Sequence, residues 1–541
     1  MMNRFIDSRL DWRALLLVLV CAALIMAPNL KGSVVLIDPF HYGEFFAAAV
    51  SFFPGHVQAF APLTIHGALD FIPALIARDV WGAENYFLPT YAIYALLDIV
   101  AAALLLLNAH ELIRELPRKW LLLLAFAMAA PFCVGYRDVL LLASFYTFNL
   151  LISNRLQPSL RRLALAALGI LVGCGLVWSF DRGLACTLSL GLPILGLAWR
   201  ERVHCIALGA FVVTVVCLDL LLTGFSISSY FENLRVLMET SAQWSYGWQL
   251  DAMIMSGFVL AVNLAVFVLA ARTLTRAATT FNELLRALAF LGLTVFTVKM
   301  AINRADIGHV YIGLWVPALW LLADGRKSMT FGTLTRVAAV LLTVAALLLS
   351  YRFRSAGFFV IACALGVACC TALPPARLRI ATLISAALMS LPAAYVLYGG
   401  VTSLRSGEYQ WLNSVQSPPQ NVRSATEGVA WVAARLTSSG ATCVFDLSNN
   451  GVINGLTNLP SCSRFTYPVY AAKKHESELI DSISSAAPKA IVYSSTYWSY
   501  SIDGLSMRER FTELDRFLTA HYPQEECSLG YCVRYLKMSA L

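Results

Sequence analysis

The heptapeptide Asp38-Pro-Phe-His-Tyr-Gly-Glu44 places two carboxylates and an imidazole directly after the first apolar stretch of the chain. An Asp, a His and a Glu beside apolar walls can serve as base, orienter and charge partner, and burial near lipid tunes their protonation. The segment also has a purely structural use, because Asp38 ahead of Pro39 makes a good helix N-cap with proline at the first helical position. A cap leaves His41 and Glu44 unexplained. Asp38, His41 and Glu44 are therefore the candidate catalytic residues, with the choice of base between Asp38 and Glu44 left open.

Three further polar clusters interrupt apolar sequence. They are Tyr136-Arg137-Asp138, then Asp181-Arg182-Gly183, and finally Lys299 followed by Arg304-Ala-Asp306-Ile-Gly-His309. Charges this close to hydrocarbon are expensive and are usually kept because they bind or move something. Arg–Asp neighbours can equally neutralise one another, and Asp181 can cap the next helix. In the third cluster Lys299, Arg304 and His309 supply more positive charge than Asp306 offsets, which suits an anionic ligand. Lys299, Arg304, His309 and Arg182 are the candidates for holding a donor phosphate, with Asp306, Asp181 and Arg137 in support.

An acidic motif on one loop and cations on later helices suit one reaction well. A sugar carried on a lipid phosphate already has an anionic leaving group, which needs neutralisation by Arg, Lys or a metal rather than protonation. Only the attacking hydroxyl needs a base. Glycoside hydrolysis, in contrast, normally requires two carboxyl groups in acid and base roles.

The elements that must position these groups follow from composition. The 541 residues are 59% hydrophobic and 13% charged, with a mean hydropathy of +0.68. Repeated apolar runs near the ~20 residues that cross a bilayer define a polytopic α-helical membrane protein of about thirteen spans. The spans read as 14–30, 86–107, 120–135, 139–153, 163–179, 184–199, 205–224, 252–271, 285–302, 309–323, 334–350, 357–373 and 380–398. Arg4, Arg9 and Arg13 precede the first of these, which lacks a clean small-residue cleavage site and reads as a retained span. Lys and Arg recur at every second loop, as the positive-inside rule requires, so the N-terminus is expected in the cytoplasm. Only Arg352 and Arg354 fall on the outer side, from a miscounted span or an anionic partner. The net charge of +8 therefore reflects topology, and no nucleic-acid partner is expected.

Two half-apolar stretches in the first outer loop (31–86), residues 44–53 and 65–76, read as helices lying along the membrane interface. A second outer loop, 226–251, carries Trp244, Tyr246 and Trp248, suited to the headgroup level or a sugar face. Residues 1–400 thus form a transmembrane domain. Residues 401–541 are polar, with strands expected at 441–447 and 490–494 and helices at 426–437, 476–485 and 507–520, an extracytoplasmic α/β domain. Cys443, Cys462, Cys527 and Cys532 all lie in this domain. Their even number suggests disulfides, Cys527 with Cys532 closing a short hairpin and Cys443 with Cys462, whereas zinc lacks a tight CxxC pair or a histidine at ligand spacing.

The first-loop acidic motif, the interface stretches beside it, the many spans and the polar C-terminal domain together resemble the GT-C superfamily of membrane glycosyltransferases. The resemblance covers nearly the whole length. It implies transfer of a sugar from a polyprenyl-phosphate donor to a hydroxyl of a glycan, lipid or protein acceptor, commonly with inversion, at the outer face of a bacterial cytoplasmic membrane. By the same likeness Asp38 corresponds to the first-loop catalytic Asp, and Arg304-x-Asp306-x-x-His309 to a donor-phosphate element. Many members carry adjacent acids where this chain has Asp38-Pro39, and metal dependence varies among them, so no cofactor is fixed although a divalent metal is compatible. Two other readings share the composition: a ligase or polymerase using a diphosphate-linked oligosaccharide, and a glycolipid transporter. The early position of the acidic motif disfavours the first, and the placement of charge at span ends rather than at the bilayer midplane disfavours the second.

Overall fold

The structure is a computed structural model that describes residues 39–52, 60–83, 85–113, 119–153, 156–222, 227–240, 250–275, 279–304, 307–325, 333–371, 420–494 and 507–537. The first and last expected spans, 14–30 and 380–398, lie outside the described residues. So do Trp244, Tyr246 and Trp248.

The N-terminal part is helical throughout: α1 (Pro39–Ser51), α2 (Ile72–Trp81), α3 (Phe87–Ile113), α4 (Lys119–Cys133), α5 (Val139–Ile152), α6 (Pro158–Trp178), α7 (Phe180–Arg200), α8 (Cys205–Leu221), α9 (Ile227–Thr240), α10 (Leu250–Thr275), α11 (Phe281–Arg304), α12 (Ile307–Ile312), α13 (Trp315–Gly325), α14 (Thr333–Phe353) and α15 (Ala356–Thr371). Each of the eleven expected spans that fall on described residues coincides with one of these helices, or with a pair of them at 309–323. Five stretches are long and apolar enough to cross a membrane by length and composition: Pro89–Ile113, Pro158–Trp178, Phe180–Arg200, Arg202–Leu221 and Phe281–Asn303. The chain is a multi-pass membrane protein.

In lipid, helices associate through close packing and interhelical hydrogen bonds rather than through the hydrophobic effect. Gly169 and Gly173 of α6 accordingly face α8, where a Cβ on Gly169 would lie 2.2 Å from the Ala207 carbonyl oxygen. The expected span 309–323 is broken into α12 and α13 for an identifiable reason. Pro317 has no N–H to offer the Gly313 carbonyl one turn back, and Asn263 Nδ2 of α10 donates to that oxygen instead at 2.8 Å.

The C-terminal part contains α16 (Gln420–Ser439), α17 (Val452–Thr457), α18 (Glu476–Ala486), β1 (Ala490–Ser494), α19 (Met507–Arg510), α20 (Thr512–His521), β2 (Gln524–Ser528) and β3 (Tyr531–Tyr535). The sheet order is β1-β3-β2, with β3 antiparallel to both neighbours. The expected strand at 441–447 is an extended segment joined to β1 by a single parallel bridge, Asp446 with Val492. Both disulfides are present as paired from the sequence, Cys443–Cys462 and Cys527–Cys532, the latter across the β2–β3 hairpin.

The first outer loop departs from expectation. An interface helix shows a wet face and a greasy one, but residues 43–51 of α1 are buried on every side. The C-terminal domain covers them: Phe46 and Ala47 are fully buried, and Ser461 N–H donates to Ser51 Oγ at 3.1 Å. Gly43 of α1 and Gly451 at the start of α17 meet backbone to backbone. A Cβ on Gly451 would lie 2.0 Å from the Gly43 carbonyl oxygen. Gly451 has ordinary helical angles (φ −64°, ψ −9°), so the close approach alone demands glycine there.

Candidate functional site

Five segments converge where α1 meets the helix bundle. Helix α1 supplies Glu44, and the chain at 60–67 supplies His66, which a 3-10 turn at Ala68–Asp70 follows. The corner between α6 and α7 holds this loop in place, because Phe180 N–H donates to the His66 carbonyl at 2.8 Å. Gly67 sits at φ 103°, a conformation that favours glycine, with room for no side chain against the Val177 carbonyl. The remaining segments are the 3-10 turn Tyr136–Asp138 and the 3-10 segment Pro468–Ala471 of the C-terminal domain.

Glu44 is buried, and Tyr470 Oη donates to its Oε1. Burial first, then the Glu44 charge, raise the Tyr470 phenol well above its usual range, so it remains a donor. The other Glu44 oxygen lies 4.0 Å from His66 Nδ1. His66 is itself clamped by Asp70, through Nδ1 to Oδ1 at 2.6 Å and backbone N–H to Oδ2 at 2.9 Å. A carboxylate accepts only, so Nδ1 carries the proton and Nε2 is the nitrogen left for other work. Phe45 stacks on Tyr94 at 4.0 Å between ring centroids, and Tyr94 meets Tyr136 edge-on at 5.0 Å, giving the cluster an aromatic wall.

The cationic side is built on α7 and the 136–138 turn. Asp98 of α3 accepts from Tyr136 N–H at 2.6 Å and Asp138 from Gly135 N–H at 3.0 Å, which fixes the turn. Arg182 is buried between two carboxylates, with Nε at 2.6 Å from Asp138 Oδ1 and Nη1 at 2.8 Å from Asp181 Oδ2. Arg137 differs. Half-buried, it lies over the Tyr136 ring at 5.6 Å and makes no salt bridge among the described residues. Desolvation disfavours its charge, but Tyr136 and the nearby carboxylates of Asp181 and Glu44 outweigh this and hold its pKa above the usual value.

The expected site residues are thus partly assembled. Glu44, Arg137, Asp181 and Arg182 share one cluster. Asp38 and Asp306 lie outside the described residues, as do the side chains of His41 and Arg304. Helix α11 reaches the cluster through Met300, whose sulfur contacts Arg182 Nη1, and position 304 shares the Met300 helix face. Lys299 is exposed on the face that carries Val295, itself 57% exposed, and is not drawn into the cluster. His309 is half-buried on α12. Arg182, expected to hold phosphate, has both contacting nitrogens committed to carboxylates, because the Tyr136–Asp138 turn folds onto α7. Sequence reasoning missed His66, Asp70 and Tyr470. The first two carried a usable signal, a His and an Asp four residues apart within an otherwise apolar stretch, whereas Tyr470 carried none.

Among the described residues, the one group of three side chains within ligand distance of a shared metal is Glu525, Cys527 and Cys532. Two of these form a disulfide, which leaves no thiolate for a cation.

No family model matches the chain, and no curated protein matches it. Solved structures do. The chain is similar to ArnT from Cupriavidus metallidurans in the apo state, at 15% identity over 96% of this chain and 98% of that one, with a TM-score of 0.46. It is also similar to the archaeal oligosaccharyltransferase AglB from Archaeoglobus fulgidus in complex with an inhibitory peptide and a dolichol-phosphate, at 12% identity over 99% and 75% of the two chains, with a TM-score of 0.43. The Archaeoglobus fulgidus oligosaccharyltransferase tethered with an acceptor peptide matches at 12% identity over 90% and 69%, also with a TM-score of 0.43.

Proposed function

We propose that the protein is a membrane glycosyltransferase of the GT-C type that moves a sugar from a polyprenyl-phosphate donor to an acceptor hydroxyl at the membrane face bearing the C-terminal domain. The observation that carries this reading is the convergence of the first-loop acidic helix and Arg137 on one cluster. Asp38, six residues before Glu44 in the sequence, is the base that takes the acceptor proton. Glu44 is bonded to Tyr470 and flanked by His66, and so serves to orient α1. Arg137 is the cation for the departing lipid phosphate, since it lies near the charges of Asp181 and Glu44 and forms no salt bridge among the described residues. Arg182 holds Asp138 and Asp181 in place, and Arg304 and His309 are the further residues assigned to the donor phosphate. Attack on the anomeric carbon opposite the leaving phosphate inverts the centre.

The test uses purified protein with mono- and diphosphate polyprenyl sugars supplied in parallel. Turnover of the monophosphate donor, lost in Arg137→Ala with retained folding, is the expected result. Turnover of the diphosphate donor alone, or an unimpaired Arg137→Ala, would refute the assignment.

A further inference from the structure

Helix α9 divides its circumference among three environments. Tyr230, Asn233, Val236 and Thr240 are buried on one face. There Tyr230 Oη bonds the Leu176 carbonyl at 3.0 Å, and Asn233 Nδ2 bonds the Phe60 carbonyl at 2.9 Å. A second face carries charge toward the C-terminal domain: Glu232 lies 3.7 Å from Arg464, and Glu239 lies 2.8 Å from Lys474 and 3.7 Å from His475. The third face is apolar and open. Ile227, Phe231 and Met238 are 50%, 60% and 65% exposed, and at 3.6 residues per turn they fall within roughly 40° of one another.

A stripe of this kind on a soluble surface would invite aggregation. Here it continues an exposed apolar surface. Helix α8 ends at Leu221, with Leu220 and Leu221 72% and 76% exposed, six positions before Ile227. Helix α10 opens on Leu250, 67% exposed. Both apolar neighbours of α9 in sequence are helix ends that face outward in this way.

We infer that α9 is an interface helix whose Ile227–Phe231–Met238 stripe lies in the acyl boundary of the leaflet bearing the C-terminal domain, while its charged face holds that domain above it. Amphipathic helices bind this way when apolar area enters the headgroup boundary and charge stays wet. The inference does not depend on the glycosyltransferase reading.

Benzoylphenylalanine placed singly at positions 231, 238 and 516, in the full chain in phosphatidylglycerol–phosphatidylethanolamine nanodiscs, tests it by photocrosslinking and mass spectrometry of the labelled peptides. Arg516 is an exposed residue of α20 and serves as the reference. Phospholipid adducts about tenfold more abundant at 231 and 238 than at 516 are expected, from the preference of a large apolar side chain for hydrocarbon. Adducts no more abundant than at 516, or a crosslink to another polypeptide in their place, would overturn the inference. The two positions are independent and both exposed, so misfolding of one variant leaves the other decisive.

Discussion

Replacing Gly451 by alanine adds a methyl group where the structure has no room for one. Its carbon would sit 2.0 Å from the Gly43 carbonyl oxygen and 2.9 Å from Ala47 Cβ, against the 3.4 Å at which ordinary contact begins. One backbone must therefore retreat by about 1.4 Å. The obstacle is main chain rather than the tip of a flexible side chain, so the cost belongs at the upper end of the roughly 1–3 kcal/mol typical of overpacking. Glu44 follows Gly43 directly, so retreat of α1 also pulls Glu44 from Tyr470 and moves the segment that begins with Asp38. A displacement of about 1 Å at a reacting group costs on the order of 100-fold in rate. Gly191→Ala is the internal control: it lies inside α7 with nothing within 4 Å of the added carbon, and should be neutral or slightly stabilising. Thermal unfolding in detergent and glycosyl transfer are the two readouts. A Gly451→Ala protein with unchanged Tm and transfer would show that the α1–α17 crossing does not position the site.

Other substitutions probe separate parts of the account. Arg182→Ala strands the buried Asp138 carboxylate and should cost about 3–5 kcal/mol, seen as lost Tm or yield, with Asp138→Asn in the same chain restoring part of it. Burial disfavours ionised Glu476, but Lys473 and the backbone N–H groups of Glu513 and Leu514 outweigh it and lower its pKa below 4.5. Its contribution is therefore present above that value and lost as pH falls through the folded-state pKa, so Glu476→Gln should flatten the acid limb of a Tm-versus-pH curve. Replacing Cys443 and Cys462 by serine opens a loop of 19 residues and should cost about 3 kcal/mol in the loop-entropy model, more than loss of the hairpin bridge Cys527–Cys532 with a separation of 5. Paired thermal shifts of the two double variants measure the difference.

The helices of the bundle were legible because a span needs about twenty apolar residues whatever its neighbours are, and that requirement is written locally. The interruption at Gly313–Leu314 was not, since it depends on how Pro317 and Asn263 meet across helices. The amphipathic look of 44–53 suggested a helix on the membrane surface. Long-range contacts turn α1 into a buried element: α17 on one side, and Phe87 and Tyr94 on the others. Charged clusters at Arg137 and Asp181 could be named from their cost near lipid, but not the way Asp138 claims Arg182 from 44 residues away. Tyr470 stands in a stretch of irregular sequence where one more aromatic is unremarked, and its bond to Glu44 spans 426 positions. The His66–Asp70 clamp lay within reach of a sequence argument, because both residues are costly in an apolar stretch unless they satisfy each other.

The most direct measurement follows free polyprenyl phosphate by mass spectrometry when purified protein meets a polyprenyl-monophosphate sugar and a cell-envelope acceptor. Acceptor-dependent release by the native chain, abolished in a folded Asp38→Asn protein, is the expected result. Donor left intact by the native protein, or released equally by Asp38→Asn, would contradict the assignment of glycosyl transfer to this site.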